Sequence, residues 1–316
     1  MRVLITGATG LIGNVIVQKC RENQIEVNYL TTRKNKLTSE GDLRGFYWNP
    51  AKGEIDPKCL EGVSAVINLA GSSISQRWTQ SNKKDILNSR IESLRTLRSA
   101  MEKSDLSEIR SFVSASAIGL YPDSLDRYYT EDQSEIDNSF LGEVVSQWEE
   151  EISAFNKFSF KLATIRVGLV LSMDGGALPA MVRPVKSYMG AAFGSGEQWQ
   201  SWIHIEDLAR QFLFVIDQGL EGVFNGVAPN PVTNSRLIKE IASVLNKPLF
   251  LPNIPQGLMK AILGDMSYLL FVSQRVSSRK IEEEGFDFYF KNICSALKDI
   301  LHSEETPSDI FQKEFV

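Results

Sequence analysis

A glycine-punctuated turn near the start of the chain limits its possible folds more than any other feature. Residues 2–5 read as a short apolar strand and residues 11–20 as an amphipathic helix. Between them runs Thr6-Gly7-Ala8-Thr9-Gly10-Leu11-Ile12-Gly13. In this setting Gly7 permits a tight exit from the strand, Gly10 lets backbone approach a pyrophosphate, and Gly13 lets the helix lie close to the sheet. Free amides and the dipole at the helix N-terminus favour phosphate there. The alternative is a glycine turn without a ligand, but the strand before it and the helix after it are the context a dinucleotide site needs.

The following segments set the cofactor expectation. Residues 26–32 alternate as a second strand and end Thr31-Thr32-Arg33-Lys34. An NAD site places an Asp or Glu about 20 residues beyond the glycines, on the ribose 2′-hydroxyl. Here two cations stand instead. That favours the 2′-phosphate of NADP, because a guanidinium meets phosphate in a planar fork. The same pair also fits a solvated loop. Residues 45–50 supply an edge strand stopped by Pro50. Residues 63–69 form a buried strand ending in Ala70-Gly71, small enough for a cofactor ribose to lie against. Within residues 76–101 lies a long helix whose cations fit a water-facing surface better than a ligand, with Arg77 and Arg90 as the candidates for ligand contact. Residues 111–122 form a strand with Ser114 and Ser116 at its tip, as ligand contacts or as space-fillers. Asp137 or Asn138 caps a helix over 139–155, and 161–171 is another core strand. This alternation predicts an α/β fold, a Rossmann-type doubly wound parallel sheet.

From Ser172 glycines loosen the chain as far as Trp199-Gln-Ser-Trp202-Ile-His204-Ile-Glu-Asp207. A helix over 208–218 with Asp207 as its cap or first-turn acid follows, then a returning strand at 224–227 and a helix at 233–245. The expected division is a nucleotide-binding domain at 1–171, to which 203–228 return, and a smaller C-terminal substrate-side part at 172–302. A polar tail at 303–316 completes it. The net charge of −5 gives no basic footprint for nucleic acid or an anionic membrane. Cys20, Cys59 and Cys294 are far apart and form no metal spacing, so reduced thiols and a cytoplasmic setting are expected. His204 and His302 are the only histidines, which argues against a histidine-built metal site. No signal peptide is expected ahead of a strand that begins at Arg2. The apolar stretch 257–272 is interrupted by Lys260 and Asp265 and is too short to span a bilayer.

Several of these segments together resemble the extended short-chain dehydrogenase/reductases, relatives of the nucleotide-sugar epimerases. They are the glycine turn, Leu69-Ala70-Gly71, Ser114-Ala-Ser116-Ala117 and Trp202-Ile-His204-Ile-Glu-Asp207. Further motifs narrow the resemblance to an atypical branch, the epimerase family proteins, some of which carry a cell-division-inhibitor label. These are Asn68-Leu-Ala-Gly71, Arg77-Trp78, Ser89-Arg90, Trp148-Glu149, Arg166-Val-Gly168-Leu-Val-Leu171 and Gly175-Gly-Ala-Leu178. Gly194-Ser-Gly196, Ala228-Pro-Asn-Pro231 and the block 273–286 complete the set. The likeness covers residues 1–301. It implies NADP(H) on a Rossmann domain and a smaller part covering the substrate. With the glycine turn, it gives Gly7, Thr9, Gly10, Leu11, Ile12, Gly13, Thr32, Arg33, Leu69, Ala70, Gly71, Ser114 and Gly168 as cofactor contacts. It also leaves open a homodimer through the two helices after the fourth and fifth strands.

The wider family uses Tyr-x-x-x-Lys on the helix after the serine strand, where the lysine lowers the tyrosine's pKa for proton transfer. None of the eight tyrosines here has a lysine four residues on, and residues 139–151 contain neither type. Ser116 occupies the position whose hydroxyl polarises a substrate carbonyl or sugar oxygen. Tyr121, on the turn beyond, is the second catalytic candidate, reaching into the cleft as a protonated phenol. Glu143 fits a solvated helix face better than catalysis, His204 a structural turn, and Trp199 and Trp202 either a substrate wall or packing. Two functions follow: an NADP(H)-dependent epimerase-like oxidoreductase of a small polar substrate, or a non-catalytic NADP(H)-binding regulator.

Overall fold

The computed structural model describes residues 1–302; the polar tail expected from Ser303 lies outside them. The described chain divides into two units. The first comprises Met1–Pro122, Glu131–Val167 and Leu208–Gly226; the second comprises Asp123–Thr130, Gly168–Asp207 and the described residues from Val227 onward. The sequence suggests a boundary at 171, whereas the chain leaves the first unit after Val167. Residues 123–130, which carried no boundary signal, belong to the second unit.

The first unit is a nine-stranded sheet whose long strands run parallel. They are β1 (Arg2–Thr6), β2 (Glu26–Thr31), β3 (Leu43–Asn49), β4 (Ala65–Asn68), β5 (Ser111–Ala117), β6 (Lys161–Val167) and β9 (Gly222–Gly226). β7 (Leu169–Leu171) and β8 (Trp202–His204) belong to the other unit. The order of the large sheet is β9-β6-β5-β4-β1-β2-β3, extended at one edge by Ser39–Glu40. The order reverses at β1, which lies between β2 and β4. Beyond the carboxyl ends of these strands is the switch-point crevice where open α/β sheets take ligands. The central strands are apolar on both faces: Val3, Leu4, Ile5, Val66, Ile67, Phe112 and Val113 are all fully buried, as strands covered by helices on both sides must be.

Helices α1 (Leu11–Glu22), α2 (Gln80–Met101) and α3 (Phe140–Ser153) connect these strands. Helix α3 is capped by Ser139, not by Asp137 or Asn138. The Ser139 hydroxyl accepts from Gly142 N at 3.4 Å and itself donates to Asp137. Gly142 is required at this start, because a Cβ there would collide with the Asp137 carbonyl.

The second unit contains α4 (Leu178–Lys186), α6 (Asn234–Val244), α7 (Gln256–Leu263) and α8 (Ile293–His302). It also holds the parallel pair β7 (Leu169–Leu171) and β8 (Trp202–His204). Its core joins Leu178, Val182 and Val185 of α4 to Leu237, Ile238 and Ile241 of α6 and to Ala296 and Leu297 of α8, and includes Trp202. Helix α5 (Ile205–Asp217) begins three residues before the expected start. Asp207 is consequently inside the first turn, where its carboxylate accepts from Tyr289 N and Phe290 N, each at 2.9 Å. Among the described residues no helix is long and apolar enough to cross a membrane. No group of three or more His, Cys, Asp or Glu residues among them could hold a metal ion.

Candidate functional site

The glycine turn takes its shape from three different constraints. Gly7 has φ +70°, in the left-handed region, and a Cβ there would come 2.9 Å from the Leu69 carbonyl oxygen. At Gly13 a Cβ would run into the Gly7 carbonyl and lie 2.7 Å from Ala8 Cα, so α1 rests directly on the turn. Gly10 differs. Its backbone is extended (φ −87°, ψ 175°), and its missing Cβ would meet only the Gly7 carbonyl oxygen, at 3.2 Å. Packing explains Gly7 and Gly13 fully and Gly10 only weakly, so an open approach remains at Gly10. Helix α1 starts there without a capping side chain and without an acid in its first turn. Unneutralised amides and an exposed glycine are a receptor for an anion. The residues present therefore fit a dinucleotide pyrophosphate, with Thr9 and Gly10 exposed and Leu11 and Ile12 half-buried around the turn.

Side-chain hydrogen bonds fix the strand tips flanking the turn. Thr6 Oγ1 donates to Asn68 Oδ1 at 2.7 Å and accepts from Leu69 N and Ala70 N, both at 3.0 Å. Asn68 Nδ2 in turn donates to Ser114 Oγ at 3.0 Å, and Ser114 donates to the Ala115 carbonyl at 3.0 Å. Ser114 is fully buried, with its hydroxyl committed in both directions. This corrects its assignment as a cofactor contact: it braces β4 against β5. At the tip of β2, Thr31 is buried, while Thr32 and Arg33 are exposed and Lys34 lies over the Tyr47 ring at 5.1 Å.

Ser116 and Tyr121 occupy a buried polar network. Ser116, 2% exposed, donates to Glu149 Oε1 at 2.6 Å. Glu149 is held in a two-bond fork by Arg166, whose Nε and Nη2 lie 2.8 Å from its two oxygens. Arg166 Nη1 donates to the Tyr121 hydroxyl at 3.0 Å, and that hydroxyl donates to Asn225 Oδ1 at 2.7 Å. Asn225 N donates to Glu131 Oε1 at 2.8 Å. Tyr121 is fully buried, which corrects the expectation that it reaches into a cleft. Burial, opposed by Arg166, pushes its phenol above the ordinary value, so it stays protonated. Burial acts to lower the Arg166 pKa, but the Glu149 carboxylate and the Tyr121 oxygen outweigh it and hold the guanidinium above its ordinary range. Glu149 was quoted in the sequence only as part of a pattern. The available signal was Arg166 itself, a cation in an otherwise apolar strand that requires a buried acid.

The remaining candidates are structural. A Cβ at Gly168 would collide with the Ser201 carbonyl and lie 2.7 Å from Val227 Cγ1, so packing, not a cofactor, requires this glycine. His204 is 2% exposed and stacks on Phe290 at 3.9 Å between centroids, and its Nδ1 accepts from Glu206 N at 3.1 Å. Its Nε2 stands 3.3 Å from Asp299 Oδ2, out of line for a hydrogen bond. Trp202 is fully buried with its indole donating to the Asn230 carbonyl. Trp199 donates to the Leu125 carbonyl and carries the Arg275 guanidinium over its ring at 4.4 Å. Glu143 is exposed and accepts from Gln147 on its own helix.

A parallel sheet with its order reversed at β1, and a glycine turn feeding an uncapped helix at that reversal, define a Rossmann-type nucleotide-binding protein. The sequence model of the NAD dependent epimerase/dehydratase family matches residues 3–226, and that of a domain of unknown function (DUF1731) matches 254–300. The chain belongs to this epimerase family. An epimerase family protein of Staphylococcus epidermidis is 36% identical over 301 residues, covering 95% of this chain and 99% of the relative. The structure of a human epimerase family protein with NADPH superposes with a TM-score of 0.84 at 28% identity, covering 96% of this chain and 99% of that one. The Thermus thermophilus UDP-glucose 4-epimerase complex with NAD, at 16% identity and a TM-score of 0.75 over 97% of this chain and 100% of that one, shares the fold.

Proposed function

We propose that this chain is an NADP(H)-dependent, epimerase-like oxidoreductase acting on a small polar substrate. The observation that carries the reading is the uncapped α1 N-terminus behind Gly10, joined to a β2 tip that offers Arg33 and Lys34 where an NAD site offers an acid. The NADPH bound to the human relative supports the same choice. When bound, NADP(H) supplies hydride exchange. The chain's own contribution is to hold the pyrophosphate on the α1 amides, the 2′-phosphate on Arg33, and the nucleotide against the 69–71 strand tip. Fluorescence titration with NADPH and NADH separately tests this. At least a tenfold preference for NADPH, about 1.4 kcal/mol, supports it, and failure of both nucleotides to bind overturns it.

The second reading, an NADP(H)-binding regulator without turnover, is favoured by one observation: the Ser116 and Tyr121 hydroxyls are both consumed by the Glu149–Arg166 network. Loss of NADPH absorbance with ketones, quinones or sugar nucleotides supports the enzyme, and inertness across all three supports the regulator. If turnover occurs, Ser116→Ala abolishes it without changing NADPH affinity, whereas unchanged turnover removes Ser116 from the mechanism.

A further inference from the structure

Arg90 on α2 is held in place from three sides. Its Nη1 donates to the carbonyl oxygens of Ser72 at 3.1 Å and Ile86 at 2.8 Å. Its guanidinium carbon lies 4.9 Å from the centroid of the Trp148 ring. Gly71 leaves the space it occupies: a Cβ there would come 3.1 Å from Arg90 Cζ and 3.3 Å from Nε. The small residue at the strand tip thus admits this cation, a use the sequence reading had given to a ribose.

What Arg90 lacks is a counter-charge. Among the described residues no carboxylate pairs with it, and burial pushes its pKa down to about 10 with no acid opposing the shift. A buried charge without a partner is costly, and carbonyls and an aromatic face recover only part of the loss. Its Nε and Nη2 make no hydrogen bond among the described residues, yet neither is sealed from solvent. Those two N–H groups form one edge of a planar fork, matched in shape to a carboxylate or a phosphate. The strand tip beside it bonds to Thr6 through Leu69 N and Ala70 N, which puts Arg90 next to the glycine turn.

We propose that Arg90 is an anion-binding residue whose free Nε–Nη2 edge takes a phosphoryl or carboxylate group, brought by the nucleotide or by its co-substrate. The inference rests on the nucleotide-site reading above. The test is calorimetric titration of the full chain and of Arg90→Gln with adenosine 2′,5′-bisphosphate, inorganic pyrophosphate and NADPH, then of the NADPH-loaded proteins with phosphate and malonate. If the nucleotide supplies the anion, Arg90→Gln weakens pyrophosphate and NADPH by at least about tenfold. If the co-substrate supplies it, NADPH binding is kept, and phosphate or malonate binding to the loaded protein is lost. Arg90→Lys, which keeps the charge but not the fork, recovers only part of either loss.

Adenosine 2′,5′-bisphosphate lacks the pyrophosphate and serves as the control. Its failure to bind wild-type protein sinks the nucleotide reading, whereas its normal binding beside anion affinities indifferent to Arg90 overturns this inference alone. Wild-type protein that binds none of the anions overturns it as well. Should Arg90→Gln fail to fold, Arg90→Lys must show part of the same losses; unchanged anion binding in that variant rejects the assignment.

Discussion

Gly10 and Gly13 stand three residues apart in one turn, yet their missing side chains serve different neighbours. Gly13→Ala drives a methyl into the turn's own backbone and should cost about 1–3 kcal/mol of stability, read as an earlier urea midpoint. Gly10→Ala should stay within about 1 kcal/mol of wild type while losing NADPH affinity, because its methyl stands where the pyrophosphate approaches. A Gly10→Ala protein that binds NADPH normally would remove the phosphate from that position. Arg166 poses a different question. Its side chain is 7% exposed and that of Glu149 is 19%, so Arg166→Met strands a largely buried carboxylate and should cost about 3–5 kcal/mol. Replacing both partners with apolar residues should recover much of that loss; a double variant no more stable than the single would show that packing, not charge, is at stake. For His204, burial holds the imidazole below its ordinary pKa against the pull of Asp299, Asp207 and Glu206. The unfolded chain therefore takes up this proton first as pH falls. The stabilisation is complete above about pH 6.5 and is lost as pH drops below it. Melting temperatures of wild type and His204→Gln should diverge above that pH and converge below it. Parallel curves would assign the acid sensitivity elsewhere.

At the scale of elements, the proposed function rests on the tips of β1, β2 and β4, and the elements differ in how far the sequence alone reveals them. The β1–turn–α1 unit was legible because a strand, a helix and three glycines constrain one another within fifteen residues. At the tip of β2 the sequence shows a change of charge, and the NADP(H) proposal rests on it. Arg33→Ala should accordingly reduce the preference for NADPH over NADH to near unity without weakening NADH, as paired fluorescence titrations would record; an undiminished preference would transfer the 2′-phosphate to another cation. The tip of β5 was misread at Ser114. Period-2 alternation places Ser114 and Ser116 on one face, but not which helix covers that face. Asn68 of β4 and Glu149 of α3 lie 46 and 33 residues away in sequence and consume both hydroxyls. Gly168 failed for the same reason: its crowding by Ser201 and Val227 comes from chain that follows much later. Local rules located the elements, and only long-range pairing decided which polar groups were spoken for.

Taken as a whole, the molecule distributes its thiols unevenly. Cys20 and Cys59, in the first unit, are fully buried, and burial pushes both up to about 12, while Cys294 in the second unit is only half-buried. A thiol reagent at neutral pH should therefore label Cys294 first, with Cys20 and Cys59 reacting only as the first unit opens. Mass spectrometry after graded urea exposure would resolve the order, and early labelling of Cys20 would contradict the assigned burial. The same interleaving has a consequence for synthesis. Strand β9 pairs with β6, yet residues 168–207 of the chain between them belong to the other unit. On a translating ribosome the edge of β6 emerges long before its partner and stays unpaired while that detour is made. A nascent chain halted before residue 222 lacks β9 and leaves the β6 edge without its partner strand, the kind of open edge that invites pairing with other chains.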